Sequence, residues 1–478
     1  MKGVTHLQRG TTPMTSWINQ ELKEVHFGDR RIDKRLMKIG ENFLERPSLS
    51  INDGQKDWAG AKAAYRFFEN EKVDTSLILE SHARRTVDRI KDFGAGIVLA
   101  IQDTTYINHS KSPSIEGLAP LTSGGRARGL AIHSTLAVTP DGLPLGLLHQ
   151  DIFVHQPKYK GRSNLLRNHQ PMEEKESYRW IRPILKVNEL LGKSVQVIHV
   201  GDREADIFEL FHKAQEVGSF FLVRANHDRR MKQGFLRTKL WAWMQEQQVG
   251  GQIEVPIPAS PGQSKRTAIC EVRFASHLFN PRPKHRAAQS VKLDSVAFSA
   301  IWVQEIHPPA DAKAIEWMLL CNLQIDCFEK AIEKIQWYRR RWQIEIFHKI
   351  LKSGCKVEDC RLNHLDKQRR FLSLMSIIAF RIYWITWIGR LASDQDCRVI
   401  LSEPEWKILY CHRHKTRKLP TTPPSVQDSI RWIAMLGGFL GRKHDGDPGP
   451  IVIWRGMQRL SQMTQVWDLV QVDDPLAI

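Results

Sequence analysis

Cysteine is scarce and follows no pattern: seven residues, at 270, 321, 327, 355, 360, 397 and 411, are scattered through the later part of a 478-residue chain. An odd count without repeated spacing argues against a disulfide-framed secreted module, and the C-x4-C spacing of Cys355 and Cys360, with His364 beyond, lacks the second pair a structural zinc site needs. Acidic side chains are also in short supply. The 52 Asp and Glu against 70 Lys and Arg leave a net charge of +18 and a pI near 9.6. This excess favours a polyanionic partner, nucleic acid before membrane, through phosphate neutralisation and counterion release. Low-complexity tracts and internal repeats are missing, which argues against a disordered or solenoid chain. No targeting segment is visible at the N-terminus, so reduced thiols in a cytoplasm are expected. A clean membrane span is lacking too. The apolar run FLSLMSIIAFRIYWITWIGRLA, Phe371–Ala392, is long enough, but Arg381 sits at its middle, where a charge costs at least about 2.5–3.5 kcal/mol. With DKQRR just before it, the run reads as a core or interface helix.

What is present suggests roughly two to four domains with ample core. Basic clusters recur at GDRRIDKRLMK, RANHDRRMK, RPKHR, YRRR and RHKTRK, a distribution suited to a long DNA track. The N-terminal part reads as short basic helices ending in AKAAYRFF. From about residue 97 the pattern changes to strands: GIVLAIQDTT terminates in Asp103, and LAIHSTLAV and LPLGLLHQ flank TPDG as a hairpin. A helix through EEKESYRWIRPILKVNELLG leads to the strand VQVIHV, which runs through Gly201 into Asp202 and the helix READIFELFHKA. SFFLVRA is the next strand. The order predicts a mixed α/β layer, followed by short β-like runs to about 315, the returning strand EWMLLCNL, and a mostly helical remainder.

The segment YRRRWQIEIFHKILK, Tyr338 to Lys352, reads as one helix. At roughly 100° per residue from Tyr338, Arg341, Glu345 and Lys352 fall at about −60°, −20° and −40°, one narrow polar seam on an otherwise apolar helix. A solvated stripe with the Arg341–Glu345 pair explains such a seam in isolation. Apolar flanks oppose that, because a carboxylate beside cations between buried residues needs a partner. Asp103 and Asp202 both end apolar strands, and Glu345 lies on a helix able to cover that sheet edge. Three converging carboxylates suit hard divalent ions, and two such ions roughly 3.5–4 Å apart support phosphodiester cleavage and strand joining. Taken singly, Asp202 could cap the following helix and Asp103 could turn the chain with Thr104 and Thr105. Asp206, one turn on, reads better as an outer or solvent-facing residue than as a ligand.

AIQDTT, GLLHQ, EKES, GDREADI and YRRRWQIEIFHKILK resemble the landmarks of the DDE transposases of bacterial insertion sequences, in the IS-four, Tn-five-like branch marked by Y-(2)-R-(3)-E-(6)-K. The resemblance spans about 27–392 and resumes at LGGFLGRK. It implies an RNase H-like α/β core with a mixed sheet, a β-rich insertion and helical N- and C-terminal domains. The implied division is a DNA-binding domain over 1–72, the first part of the core over 73–227, the insertion over 228–315, the second part with the glutamate helix over 316–392, and a region for dimerisation and DNA contact over 393–478. Metal-binding catalytic acids carry over onto Asp103, Asp202 and Glu345, and DNA contacts onto Tyr338, Arg341, Lys352, Trp317, Arg30, Arg31, Arg66 and Arg224. Trp317 matches the aromatic that receives a flipped base, although a Trp leading an apolar strand is ordinarily core. Also implied are two Mg2+ per site, replaceable by Mn2+, and cut-and-paste transposition through nicking, a hairpin intermediate and strand transfer. The partners are the terminal inverted repeats, target DNA and a second copy of the chain, in a bacterial cytoplasm at the nucleoid. The rivals are a structure-specific nuclease on the same core and a DNA-binding regulator derived from a transposase.

Overall fold

The computed structural model describes residues 17–45, 50–55, 57–112, 114–122, 125–155, 172–233, 236–257, 264–279, 295–310, 312–391, 393–442 and 444–472. The basic cluster RPKHR lies outside the described residues. Among the described residues five helices come first: α1 (Trp17–Glu21), α2 (Arg30–Glu45), α3 (Ile51–Gly54), α4 (Trp58–Glu69) and α5 (Thr75–Asp92). Ser50, Asp57 and Asp74 start α3, α4 and α5 by accepting a backbone N–H with the side chain, which satisfies donors no helix can pair internally. Leu36, Ile39, Phe43, Phe67 and Phe68 face inward, while Arg30, Arg31, Lys34, Arg35 and Lys38 leave α2 with a basic outer side.

A central sheet follows. Its strands are β1 (Ile97–Asn108), β2 (Ala119–Pro120), β3 (Arg128–Val138), β4 (Pro144–Phe153), then β5 (Gln196–Gly201) after helix α6 (Arg182–Leu191), and β6 (Phe220–Arg224) after α7 (Phe208–Glu216). The order β4-β3-β1-β5-β6, antiparallel through the hairpin and parallel from β1 to β6, is that of an RNase H-like core. Beyond β6 come a small hairpin of β7 (Arg230–Gln233) and β8 (Leu236–Lys239), the helix α8 (Leu240–Gln245), and β9 (Val249–Ile257), β10 (Arg266–Phe279), β11 (Val296–Glu305) and β12 (Glu316–Cys321). These last four do not form a separate layer. β12 pairs with β6, and β11, β10 and β9 follow in turn, giving one ten-stranded sheet.

The chain closes with α9 (Phe328–Arg339), α10 (Trp342–Lys349), a π-helical turn Ile350–Gly354, and α11 (Leu365–Leu391), α12 (Glu403–His414), α13 (Val426–Leu436) and α14 (Pro450–Val472). Helix α11 is long and apolar enough to cross a membrane but is packed inside the protein, 89% of its most apolar window being buried. Phe43 and Phe68 meet its Phe371 edge-on at 5.8 and 5.7 Å. Arg381 is accommodated there by stacking over Trp17 and Trp384 and by donating to the Ile400 carbonyl. Burial lowers its pKa to about 10.

A buried polar knot ties α1 to the sheet. Glu21 pairs with Arg89 and accepts from His82 Nδ1 at 2.6 Å, while the Leu147 N–H donates to His82 Nε2 at 3.1 Å and Arg89 Nε donates to the Leu145 carbonyl at 2.5 Å. Because His82 Nε2 is an acceptor, its single proton is on Nδ1 and the ring is neutral. Burial, the largest influence on it, favours the same state.

The structure corrects three expectations. Strand β1 does not end at Asp103 but runs on to Asn108, because pairing with β3 continues from Thr104↔His133 to Asn108↔Gly129. The 338–352 segment is not one helix. The N–H groups of Arg341 and Gln343 bond three residues back, tightening the chain between α9 and α10, and the end widens into the π turn. Finally, the helix expected through EEKESYRWI is replaced by the 3-10 turns Met172–Glu174 and Glu176–Trp180, and the α-helix begins only at Arg182, with Pro183 in its first turn, where a missing N–H costs nothing.

Candidate active site

Asp103 lies where the sheet parts. Parallel pairing of β1 with β5 stops at Ile101↔Val200, and extending that register by two residues sets Asp202 alongside Asp103. Beyond this point β1 keeps a partner on the β3 side only. Asp202 follows Gly201, where a side chain has no room: an added Cβ would lie 2.4 Å from Ala205 Cβ and 3.3 Å from the Trp180 ring. Asp202 Oδ1 accepts the Glu204 N–H at 2.8 Å, so one oxygen of the carboxylate caps the 3-10 turn Arg203–Ala205 and not the expected helix, which begins only at Phe208.

Helix α10 covers the face on which Asp103 projects. Ser134 is Asp103's partner across the β1–β3 ladder and therefore shares its face; His348 Nε2 lies 3.2 Å from Ser134 Oγ, and His348 Nδ1 lies 3.8 Å from Asp103 Oδ2. The entry to α10 is pinned to the β3–β4 turn. Arg340 Nε donates to the Pro140 carbonyl at 3.2 Å and Gln343 Nε2 to the Gly142 carbonyl at 2.9 Å, while Tyr383 Oη donates to Gln343 Oε1 at 2.7 Å. Gly142 has φ +102°, and a Cβ there would meet both Arg340 and Gln343 at 2.9 Å.

Electrostatics bind these residues into one unit. Burial pushes Asp103 up to about 7; Arg341 opposes that, while Asp202 and Glu345 reinforce it. Asp202 is also raised, again chiefly by burial. Arg341 Nη2 donates to Glu345 Oε1 at 2.7 Å. Burial also lowers Arg224, with Arg203 and Arg341 adding to the effect, so these guanidinium groups crowd one corner. Tyr338 is buried beside them and raised by that burial, and the Trp317 ring lies 6.2 Å from its own. Among the described residues no three His, Cys, Asp or Glu side chains already form a metal cage. The donor set nonetheless fits a hard cation: all three acids offer oxygen, and a carboxylate driven to about 7 among other carboxylates is one that a divalent ion would stabilise in its charged form.

Three family models match the chain: transposase DNA-binding over residues 14–73, transposase DDE domain over 187–381, and transposase Tn5 dimerisation domain over 377–467. The chain belongs to the DDE transposases. It is a DNA transposase of the Tn5-like kind, a DNA-cleaving, strand-transferring and metal-dependent enzyme that binds DNA and forms dimers. A cryo-EM structure of a piggyBac transposase synaptic complex with hairpin DNA is similar at 10% identity and a TM-score of 0.36, over 96% of this chain and 79% of that one, too loose a match to bear on the site.

The transposase therefore brings Asp103, Asp202, Glu345, Arg341, Tyr338, Arg224 and Trp317 to one region. Lys352 lies on the π turn, with Nζ 3.7 Å from Glu358, and its charge acts on His348. Arg30, Arg31 and Arg66 are exposed on α2 and α4, Arg31 held by Asp29 at 3.0 Å. Asp206 is buried, accepting the Asn226 and His227 N–H groups and pairing with Arg229, which secures the end of β6. Sequence reasoning missed His348 and Arg179. His348 had a signal, since it falls at about −80° on the same helical projection, just beside the seam. Arg179 had none.

Proposed function

We propose that this transposase moves a bacterial insertion sequence by a cut-and-paste route, with Asp103, Asp202 and Glu345 as its catalytic acids. These residues would hold the divalent ions, Mg2+ or Mn2+ in its place, two per site. When bound, such ions activate the attacking water or hydroxyl and stabilise the leaving oxygen of a phosphodiester. The observation that carries the assignment is the convergence of Asp202, Glu345 and Arg341 on Asp103 at the place where β1 and β5 separate.

Around the acids, Arg341, Arg224 and Tyr338 supply donors aimed at one corner, which suits a phosphate flanking the cleaved bond. Lys352 grips the strand further along. Trp317 receives a base flipped out as a hairpin forms at the transposon end. Arg30, Arg31 and Arg66 hold the terminal inverted repeat, and each end is cut by the subunit whose N-terminal domain does not hold it. The helical segment to residue 72 serves end binding, the sheet from 73 to 392 with its insertion over 228–315 serves chemistry, and 393–478 serves pairing of two copies. The enzyme works in the cytoplasm, at the nucleoid.

Purified full-length chain, incubated with Mg2+ and the DNA flanking its gene, should nick at terminal inverted repeats, give hairpin ends and join them to target DNA. Cleavage without joining would favour a plain nuclease and refute the assignment.

A further inference from the structure

Arg179 touches none of the three acids, yet it holds the neighbours of two of them. It lies in the 3-10 turn Glu176–Trp180, and its side chain is 14% exposed. Its Nε donates to Thr104 Oγ1 at 3.2 Å, its Nη2 to Glu204 Oε2 at 2.9 Å and its Nη1 to the Glu176 carbonyl at 3.2 Å. Thr104 is the residue after Asp103 on β1. Glu204 contributes the N–H that Asp202 Oδ1 accepts. One planar fork thus bridges β1 beside Asp103 and the turn after β5 that carries Asp202. Side chains alternate along β1, so the bond to Thr104 forms on the face opposite α10 and does not intrude on the acids.

The proton directions behind this bridge follow from its acceptors. Thr104 Oγ1 accepts from the Arg179 guanidinium, and because Gln102 Oε1 can only accept, His133 Nε2 carries the proton of the neutral ring, leaving Nδ1, 2.8 Å from Thr104 Oγ1, to accept the hydroxyl proton. His133 Nε2–H then donates to Gln102 Oε1 at 3.2 Å, and Gln102 Nε2 donates to His199 Nδ1 at 3.1 Å. Each link is consistent with neutral rings, which burial also favours for both histidines. Trp180, 4.7 Å from the His133 ring, closes the chain from outside. The anchor of Arg179 therefore runs through β1, β3 and β5. An ion pair with Glu204, which is half exposed, contributes little to stability, whereas a rigid fork fixed on this buried chain can hold β1 and the turn after β5 at a set distance.

We infer that Arg179 is a positioning residue that sets the separation of Asp103 and Asp202, and through it the divalent-ion affinity of the pair, without touching ion or DNA. This rests on the assignment of those acids as metal ligands. The test is Mn2+ binding to the full chain, followed by electron paramagnetic resonance of the free ion, alongside end-binding affinity, melting temperature and nicking. Arg179→Gln should weaken Mn2+ binding about tenfold or more, the usual effect of removing a group that orients a ligand, with end binding and melting unchanged and nicking restored by excess Mn2+. Arg179→Lys, which cannot bridge, should recover only part. Thr104→Val and Glu204→Gln each weaken one arm and should show the same ion-specific defect, and they carry the test if the arginine variants do not fold. Wild-type Mn2+ affinity in Arg179→Gln, or in both arm variants, overturns the inference, as does a nicking defect that excess Mn2+ leaves unchanged. Asp103→Asn and Asp202→Asn serve as the control. Should they retain Mn2+ affinity, the ligand assignment itself falls and the inference falls with it, a different result from a failure of Arg179 alone.

Discussion

Replacing Arg89 with alanine removes the cation from a carboxylate that has no access to water. Glu21 is 1% exposed, and although burial alone would raise its pKa, Arg89 and the His82 hydrogen bond bring it down to about 2 from its usual 4.5. A depression of that size corresponds to native-state stabilisation on the order of 3 kcal/mol. It agrees with the about 3–5 kcal/mol cost of breaking a buried pair from one side. His82 is neutral and cannot replace the lost charge. The effect is local to the junction of α1, α5 and β4, so native-state hydrogen exchange is the suitable assay. Amides of Trp17–Glu21 and the adjoining part of α5 should exchange on the order of 100-fold faster in Arg89→Ala than in the parent at neutral pH. Because Glu21's folded pKa is depressed, its contribution is complete above about 4.5 and is lost as pH falls towards 2, so the parent's junction should loosen across that window while the variant's changes little. Exchange within about threefold of the parent would refute the reasoning.

Asp103→Asn, Asp202→Asn and Glu345→Gln should each abolish nicking while end binding in a gel-shift assay stays within a few fold, because phosphate contacts dominate affinity; metal-dependent cleavage by any of them removes that residue from the site. Trp317→Ala should slow hairpin formation about 5- to 150-fold, matching a stacking loss of about 1–3 kcal/mol, with first-strand nicking less affected and partial rescue by an abasic nucleotide at the flipped position. If both steps fall together without rescue, Trp317 is a core residue. Gly142→Ala, at φ +102° and against Arg340 and Gln343, should cost about 1–3 kcal/mol in unfolding experiments and reduce cleavage by shifting α10; wild-type values in both would show that this turn does not position the helix.

Much of the site was legible because each acid is announced locally. Apolar runs ending in Asp103 and Asp202 mark where β1 and β5 leave their shared buried stretch, and the polar seam marks Glu345 and Arg341. Local patterns fail where tertiary contacts decide. The continuation of β1 past Asp103 follows from β3 as a partner, and polar residues such as Thr104 and Thr105 gave no apolar signal for it. The break between α9 and α10 has no Gly or Pro to signal it, and the bonds from Arg340 and Gln343 to a turn two hundred residues earlier accompany it. His133, within LAIHSTLAV, alternates as an ordinary strand residue. Its place in a chain of buried hydrogen bonds depends on β1 lying beside it and β5 beyond β1. Arg179 is one basic residue among many, and only the folded turn at Glu176–Trp180 distinguishes it.

The joining of β12 to β6 has a consequence for any attempt to reduce the enzyme to its catalytic centre. On its other side β12 is hydrogen-bonded to β11 from Glu316↔Gln304 to Cys321↔Ser299, and Met318, Leu319 and Leu320 along it are buried. A shortened chain lacking 228–315 would leave that side as a row of bare peptide groups next to apolar side chains, a template onto which a second shortened chain could add its own strand. Self-association and insolubility, rather than a compact minimal nuclease, are the expected outcome. A smaller enzyme would have to keep β11 as a guard strand or give its new boundary charged, bulged or proline-bearing residues.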